Sequence, residues 1–453
     1  MTVTETTTWM PGYSLPQRDY VDQEIFDLDI ERVFAGSWLL VGSVAELPQP
    51  GAVLTWTVGR DSVVVTRDPD GSLHAHHNVC RHRGSRLRPD GGGSERVLVC
   101  PYHQWTYGLD GSLRGAPHMG SDLPRDQLGL QPVHLRELAG LLFVCFAQTP
   151  PAFDDAVAAI GPQLGPHRLD HTKVAARLHY DVWANWKMLV ENNRECYHCR
   201  ANHPEFCQSN YDLGMSGDAR TNTRYETTLA ARRASWTAQG LAPIDVSFDA
   251  GGSFRVARLP LRDGYLTESL SGGLVAPVLG ALDGADVGSL RVISLPNSWS
   301  HANADYAMTT RLTPVGPAAT GVDVTFLVRD DAVEGTDYDL AELTQVWVAT
   351  SEQDWLLCEQ NHAGVASSGY LPGPLSPITE GSVQAFHAWY ARAVSQPRGS
   401  ASTVGYAESV DPAGVGLVES VGRAGLDGRC GGAVDRGDRH VDAARRQERR
   451  SDG

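Results

Sequence analysis

Basic charge is in short supply in this sequence of 453 residues. Lysine and arginine together number 38, against 54 aspartates and glutamates, so the net charge is −16. Proteins that bind nucleic acids or acidic membrane surfaces present a basic face. We therefore expect neither kind of partner, whereas a protein with a basic docking patch would suit this acidic surface.

Long apolar runs are also missing. No stretch approaches the roughly 20 consecutive apolar residues of a membrane span. Residues 1–17 are polar and rich in threonine, so they lack the apolar core of a secretory signal. These absences predict a cytoplasmic protein.

Cysteine is sparse and unevenly placed, with eight in the whole chain. Such a distribution does not suggest a disulfide framework. In a reducing compartment, clustered cysteine and histidine indicate metal binding or catalysis instead.

Segments of different character follow one another along the chain. Residues 20–40 carry apolar residues at helical spacing, and residues 38–147 hold short β-branched and aromatic runs broken by turn sequences. Longer helical patterns occupy residues 180–204, 339–362 and 383–394, with strand-like runs between them. We expect a lead-in helix (1–39) packed on the larger domain, an all-β domain (40–165) and an α+β domain (166–395). Residues 396–453 are poor in apolar side chains, which predicts a disordered tail.

The all-β region contains two short loops that each offer one cysteine and one histidine. They read Cys80-x-His82 and Cys100-x-x-His103, with seventeen residues between the inner pair. Zinc is one candidate, although zinc fingers usually pair cysteine with cysteine and histidine with histidine. The arrangement favours a [2Fe–2S] cluster, in which two thiolates hold one iron and two imidazoles hold the other.

A second histidine pair lies in the helical pattern of residues 180–204. His198 and His203 are five residues apart, or about 1.4 helical turns. They can converge on one metal if the helix ends between them, which Asn202 and Pro204 favour. Two histidines and one carboxylate form the facial triad of non-haem Fe(II), which leaves positions open for O2.

Two questions about this second site stay open at the level of the residues. The third ligand must be a distant carboxylate, and the pattern of residues 339–362 offers three of them: Glu352, Asp354 and Glu359. Cys196 and Cys199 also match a redox or zinc C-x-x-C motif, although they interleave with His198.

The segments CRHRG, CPYHQWTY, NWK and ENNRECYHC together resemble the α subunits of Rieske non-haem iron oxygenases, over roughly residues 14–394. The resemblance implies an α+β chain with a small all-β Rieske [2Fe–2S] domain and a catalytic domain of helices covering an antiparallel sheet. It also implies Cys80 and Cys100 on one cluster iron and His82 and His103 on the other. A mononuclear Fe(II) would be held by three further residues, namely His198, His203 and Asp354.

The resemblance gives Glu195 a role as well. In this family a carboxylate three residues before the first histidine bridges the two metal sites, although aromatic-ring dioxygenases usually have Asp there. Glu195 would connect His198 to His103 of a neighbouring subunit in a head-to-tail homotrimer.

Within the family, the segments DAVEGTDYDL and LTQVWVAT resemble the branch that contains glycine betaine, choline and carnitine monooxygenases and stachydrine demethylase. Such enzymes use O2 to hydroxylate an N-methyl group, and the hemiaminal collapses to formaldehyde and a demethylated amine. The alternatives are an aromatic ring-hydroxylating dioxygenase and an electron carrier with a vestigial second site.

The sequence also bears on how the substrate is bound and where the electrons come from. A cationic headgroup would meet aromatic faces, and several aromatic residues lie near the second motif: Tyr197, Phe206, Tyr211, Trp299 and Trp355. Each of them also suits ordinary core packing. The chain has no nucleotide-binding glycine motif and no flavin signature. Electrons from NAD(P)H would therefore come through a separate flavin/iron–sulfur reductase.

Overall fold

The computed structural model describes residues 9–211, 223–241, 247–248, 252–280 and 282–395. The predicted disordered tail, residues 396–453, lies outside these ranges. Within them, no helix is both long enough and apolar enough to cross a membrane.

The N-terminal segment is helical. It comprises α1 (Arg18–Val21), α2 (Gln23–Leu28) and a π-helical turn (Asp29–Phe34). Asp29 is fully buried and accepts hydrogen bonds from the Trp186 indole at 3.0 Å, the Tyr390 hydroxyl at 2.7 Å and the Lys187 ammonium. Because a buried carboxylate needs such partners, Asp29 ties the segment to the later helices.

Short antiparallel strands make up residues 39–145. The strands are β1 (Leu39–Ser43), β2 (Ala52–Val58), β3 (Asp61–Arg67), β4 (Leu73–His77), β5 (Gly91–Ser94), β6 (Leu98–Val99), β7 (Thr106–Tyr107), β8 (Leu113–Gly115), β9 (His134–Leu138) and β10 (Leu141–Cys145). They form three small sheets, with the orders β1-β10-β9, β4-β3-β2-β5 and β6-β7-β8. Gly59, with φ of +56°, closes the tight hairpin between β2 and β3, because the left-handed region favours glycine.

The rest of the described chain places helices on one larger antiparallel sheet. Its helices are α3 (Asp154–Leu164), α4 (Trp186–Asn193), α5 (Cys199–Asn202), α6 (Phe206–Ser209), α7 (Thr223–Ala238), α8 (Leu340–Val365) and α9 (Gly381–Ser395). Its strands are β11 (Thr172–Val182), β12 (Ser247–Phe248), β13 (Phe254–Leu259), β14 (Ser289–Ser294), β15 (Ser298–Ala302), β16 (Ala307–Gly316) and β17 (Ala319–Arg329). The strands lie in the order β11-β17-β16-β15-β14-β13-β12. The expected α+β class, with helices over an antiparallel sheet, is confirmed.

One predicted helix is wrong in its extent. Residues 180–182 belong to β11, which pairs with β17, and α4 begins only at Trp186. Asn185 sets that start, because its side-chain oxygen accepts the backbone N–H of Lys187 at 3.0 Å. The helix stops at Asn193, and a separate short turn, α5, follows the bend. The later helical patterns are confirmed as α8 and α9.

The break after α4 matters for function because α4 packs against the middle of α8. Trp186 is fully buried and meets the Phe34 ring edge-on at 5.0 Å. The Cys358 thiol of α8 lies 3.9 Å from the carbonyl oxygen of Met188. This packing brings the loop after α4 to the face of α8 that carries Asp354.

Candidate metal centres

The two Cys/His loops of the β-domain have the same backbone geometry. In each loop the cysteine N–H donates to the carbonyl five residues later, at 2.8 Å, and the amide four residues later donates back, at 3.0 Å. The residue at that fourth position has positive φ in both loops, +77° at Gly84 and +59° at Gln104. Cys80 and Cys100 are therefore presented by two matched turns.

The side chains of these loops converge. The rings of His82 and His103 lie 4.7 Å apart, edge to face, and His82 stacks on Trp105 at 4.9 Å. Nδ1 of His82 is buried, and it has no hydrogen-bond partner among the described residues. A buried ring nitrogen without a hydrogen-bond partner in the protein is typical of a metal ligand.

Both cysteines of the loops are buried free thiols. Sγ of Cys80 lies 3.3 Å from the Tyr107 hydroxyl, which also accepts the backbone N–H of Arg81 at 3.0 Å. Burial and the hydrogen bond with Cys80 raise the pKa of Tyr107. The hydroxyl therefore stays protonated and can donate to a thiolate. Two matched loops that each present one thiol and one imidazole fit a [2Fe–2S] cluster.

The second centre forms where α5 meets α8. His198 directly precedes α5 and His203 directly follows it, so the helix end that the sequence requires lies between them. Oδ1 of Asp354 is 3.2 Å from Nε2 of His198 and 2.9 Å from Nε2 of His203. Nε2 of His203 and Oδ1 of Asp354 are both buried, and neither has a hydrogen bond of acceptable geometry. The two Nε2 atoms and Oδ1 of Asp354 face one another, as the ligands of a single metal ion would. Two histidines and one aspartate fit mononuclear iron.

Protonation of His198 depends on the same carboxylates. Burial alone would lower its pKa, but the nearby charges of Asp354 and Glu195, together with the hydrogen bond to Glu195, outweigh burial and raise the pKa to about 9. A ring that carries two protons cannot bind a metal, so binding must release one of them.

The far nitrogens of both histidines are held by neighbours. Nδ1 of His198 lies 2.5 Å from Oε1 of Glu195, whose other oxygen accepts the backbone N–H of Tyr197. Nδ1 of His203 lies 2.8 Å from Oε1 of Gln353, and that amide donates to Glu205 at 2.9 Å. Such partners fix the ring orientation and leave Nε2 of each ring for the metal.

Cys196 and Cys199 form a disulfide, with their Cα atoms 4.9 Å apart. The Cys199 sulfur lies within 4.8 Å of the His198 and His203 nitrogens, so position alone would allow it as a ligand. Because the sulfur is already bonded to Cys196, Asp354 is the better third ligand. One pair three residues apart is not a disulfide framework, and the other cysteines of the described ranges are free thiols.

Of the three carboxylates that the sequence offers on α8, only Asp354 reaches both histidines. Glu359 accepts the backbone N–H of Trp183 at 3.0 Å, and Glu352 is exposed. The register of the helix makes this choice, since only one of the three positions faces α5.

Comparisons with known proteins place the chain in a family. The Rieske [2Fe-2S] domain matches residues 37–135, and the ring hydroxylating alpha subunit (catalytic domain) matches residues 169–396. The glycine betaine monooxygenase oxygenase subunit of Pseudomonas aeruginosa (strain PAO1) is 39% identical over 381 residues, covering 84% of this chain and 88% of that protein. The subunit of the same name from Chromohalobacter salexigens is 42% identical over 380 residues, covering 83% and 85%.

The chain belongs to the Rieske-type ring-hydroxylating oxygenase α subunits. It is a Rieske non-haem iron monooxygenase, with a [2Fe–2S] cluster in its Rieske domain and an iron in its catalytic domain. The fold is similar to that of a quaternary ammonium Rieske monooxygenase in complex with L-carnitine, with a TM-score of 0.64, 22% identity and coverage of 84% of this chain and 95% of that one. It is also similar to a naphthalene 1,2-dioxygenase, with a TM-score of 0.62, 21% identity and coverage of 87% and 95%. The resemblance stated from the loop sequences is confirmed.

This oxygenase has a cavity beside the second centre. Two of the five predicted aromatic residues, Phe206 and Trp299, line it together with His198, His203 and Asp354. The other three do not line it. Tyr197 is exposed, Tyr211 packs on Tyr225, and Trp355 packs on Tyr180 and Trp299.

Several other residues of the cavity wall were not predicted from the sequence, among them Arg291, His301 and Trp347. Arg291 left a usable signal, because it is a charged residue inside the otherwise apolar strand LRVIS. Nothing in the sequence marks Trp347 as a cavity residue, since an aromatic residue on a long helix is most often part of a core.

Proposed function

We propose that this oxygenase hydroxylates an N-methyl group of a quaternary ammonium substrate of the glycine betaine type. The observation that supports the proposal best is an aromatic cavity wall directly beside His198, His203 and Asp354, because aromatic faces attract quaternary ammonium groups. The relatives at 39% and 42% identity are named for glycine betaine.

O2, two electrons and two protons convert one N–CH3 group into N–CH2OH and one molecule of water. The carbon–nitrogen bond of this hemiaminal then breaks, which releases formaldehyde, a proton and the dimethylamine product.

We also propose which residues bind the cluster and the mononuclear iron. Cys80, Cys100, His82 and His103 would hold the cluster, and His198, His203 and Asp354 would hold the mononuclear iron. Support for the first set comes from its matched turns and from the partnerless Nδ1 of His82. Support for the second set comes from three donor atoms directed at one space.

Each residue around the iron site has a task in this mechanism. The iron, when bound, supplies the activation of O2. Glu195 keeps the proton of His198 on Nδ1, and Gln353 orients His203. Phe206 and Trp299 hold the cationic group against the site and exclude water from it.

Electrons would come from a separate reductase and pass between subunits of a head-to-tail trimer. Tyr102, beside His103 on the Rieske loop, is 56% exposed. Trp183 and Tyr197, beside Glu195 and α8, are each 67% exposed. Large exposed aromatic residues at both ends of the expected path favour a subunit contact there.

A substrate panel tests the activity. The purified oxygenase, supplied with a surrogate reductase and NADH, should release formaldehyde from glycine betaine in step with O2 consumption. The reductase without the oxygenase is the control. A cis-diol from naphthalene without formaldehyde from betaines would support the aromatic dioxygenase alternative instead.

Mixed trimers test the electron path. His103→Ala and His198→Ala should each be inactive. Co-expressed equally, the two variants should restore roughly a quarter of wild-type activity, because about one interface in four then pairs an intact cluster with an intact iron. Mixed assemblies as inactive as either parent would contradict transfer between subunits, provided that tagged pull-down shows that the variants mix.

A further inference from the structure

One permanent cation lines the cavity among the described residues. It is Arg291 of β14, whose side chain is buried in the wall. A cation is an unexpected neighbour for a site that receives a quaternary ammonium group, because like charges repel more strongly where water is excluded. The wall must therefore suit another part of the substrate as well.

The Arg291 guanidinium is held in place from behind. It donates to Oδ1 of Asn210 at 2.6 Å and lies 3.6 Å from Oε1 of Glu268. Glu268 is fully buried and is also held by Nδ1 of His301 at 3.2 Å and by the Asn303 amide at 3.1 Å. The guanidinium is thus presented to the cavity at a set position.

Glu268 is ionised in this network. Burial would raise its pKa, but the charges and hydrogen bonds of His301, Arg291 and Asn303 outweigh burial and lower the pKa to about 2. A carboxylate at this place keeps Arg291 protonated and stabilises it inside the protein.

The cation lies a short distance from the metal site. The rings of His203 and Phe206 are 6.5 Å apart, and the Arg291 guanidinium carbon is 5.5 Å from the centre of the Phe206 ring. Trp347 meets Phe206 at 5.9 Å and His301 at 4.5 Å, which continues the aromatic wall between the two ends. The cavity therefore has a metal end, an aromatic middle and a cationic end.

This order of groups matches a small zwitterion. We propose that Arg291 recognises the carboxylate of the substrate, so that the enzyme selects quaternary ammonium carboxylates over quaternary ammonium alcohols. This inference rests on the proposed N-demethylation. Arginine suits the task because its planar fork binds both oxygens of a carboxylate. Choline has a hydroxyl group in place of the carboxylate, so it cannot form this ion pair with Arg291.

The wild-type enzyme gives the first test, with three substrates of similar size: glycine betaine, glycine betaine amide and choline. The amide keeps the trimethylammonium group and replaces the carboxylate with a neutral group. We expect kcat/KM for formaldehyde release to fall about a hundredfold from the acid to the amide and to choline, as for loss of one partner of a buried charge pair. Equal kcat/KM for acid and amide would overturn the role of Arg291.

Variants give the second test. Arg291→Gln should raise KM for glycine betaine about a hundredfold, with a smaller change in kcat, and should abolish the preference for acid over amide. Arg291→Lys should recover part of the preference, because it keeps the charge without the fork. An unchanged acid preference in Arg291→Gln would contradict the inference.

Arg258→Gln is the matched control. Arg258 lies on the neighbouring strand β13, is fully buried and donates to the carbonyls of Val287 and Gln163, but it does not line the cavity. The Arg258→Gln substitution should lower the melting temperature but leave the preference for the acid over the amide unchanged. If Arg291→Gln fails to fold or loses iron, the wild-type comparison of acid and amide still decides.

The two proposals fail separately. Absence of formaldehyde from all three compounds in the wild type would reject the proposed N-demethylation itself. Formaldehyde from acid and amide at equal efficiency would leave demethylation standing and reject only the recognition by Arg291.

Discussion

The two candidate metal centres differ in how far apart in the chain their parts lie. All four candidate cluster ligands fall within residues 80–103, on two loops that close their own hydrogen bonds. The iron site joins the loop after α4 to the middle of α8, and His203 and its partner Gln353 are 150 residues apart. The cluster site, whose ligands are close in the sequence, depends on the geometry of two turns. The iron site, whose ligands are distant in the sequence, depends on how whole helices pack. We therefore expect changes in helix packing to weaken the iron site and to spare the cluster.

The largest effect should come from removing an iron ligand. His198→Ala should abolish turnover and remove about one of three irons per subunit, while acid-labile sulfide and the Rieske absorption stay at wild-type levels. Metal analysis and the visible spectrum measure both. His134→Ala, which changes an exposed ring outside both centres, is the control and should alter neither. Loss of sulfide in His198→Ala would show that the two centres are not separable.

A smaller effect should follow from loosening a ligand without removing it. Gln353→Ala takes away the acceptor that orients Nδ1 of His203, so iron affinity should fall about 10- to 100-fold. Chelator titration followed by iron analysis gives the affinity. Gln360→Ala, at an exposed position of the same helix, should leave it unchanged. If both variants behave alike, the hydrogen bond to His203 has no part in metal binding.

The same contrast explains what could be predicted from the sequence. Cys80, His82, Cys100 and His103 are readable because their spacing within short loops reports their geometry directly. For the third iron ligand, the residue pattern offered three candidate carboxylates but could not choose Asp354 among them. The register of α8 against α5 decides which of the three faces the histidines. The charge of Arg291 stands out in its strand, but neither Arg291 nor Trp347 could be assigned to the site, because β14 and α8 are distant in the sequence and meet only in the folded protein.

The predicted boundaries of one helix were wrong for a related reason. The pattern of residues 180–204 reads as one helix, yet β11 extends through Val182 because its pairing with β17 outweighs local preference. The bend after Asn193 comes from the residues that follow α4, where the chain turns towards α8. The domain limits and the disordered tail stay predictions.

The smallest effect concerns a pair in the catalytic sheet, away from both centres. Nδ1 of His179 lies 2.8 Å from Asp323, and the hydrogen bond raises the pKa of His179. Because the folded-state pKa is raised, this stabilisation is complete below the unfolded value of about 6.5 and is lost as the pH rises through the folded-state pKa. Asp323→Asn should therefore lower the melting temperature more at pH 6 than at pH 8, with a part common to both from the contact between Asp323 and Arg311 at 2.8 Å.

Asp181→Asn is the control for this pair, since Asp181 is more exposed and lies 3.4 Å from His179. Its effect should be smaller at both pH values. A greater loss for Asp323→Asn at pH 8 than at pH 6 would reverse the sign of the interaction. Iron and sulfide content should stay constant in both variants.

We infer that one chain holds a cluster site on its matched loops and a separate iron site between its helices. Iron, zinc and acid-labile sulfide measured together on the purified protein test it most directly. We expect about three irons and two sulfides per chain, with no stoichiometric zinc. Zinc at one or more equivalents without sulfide would contradict it.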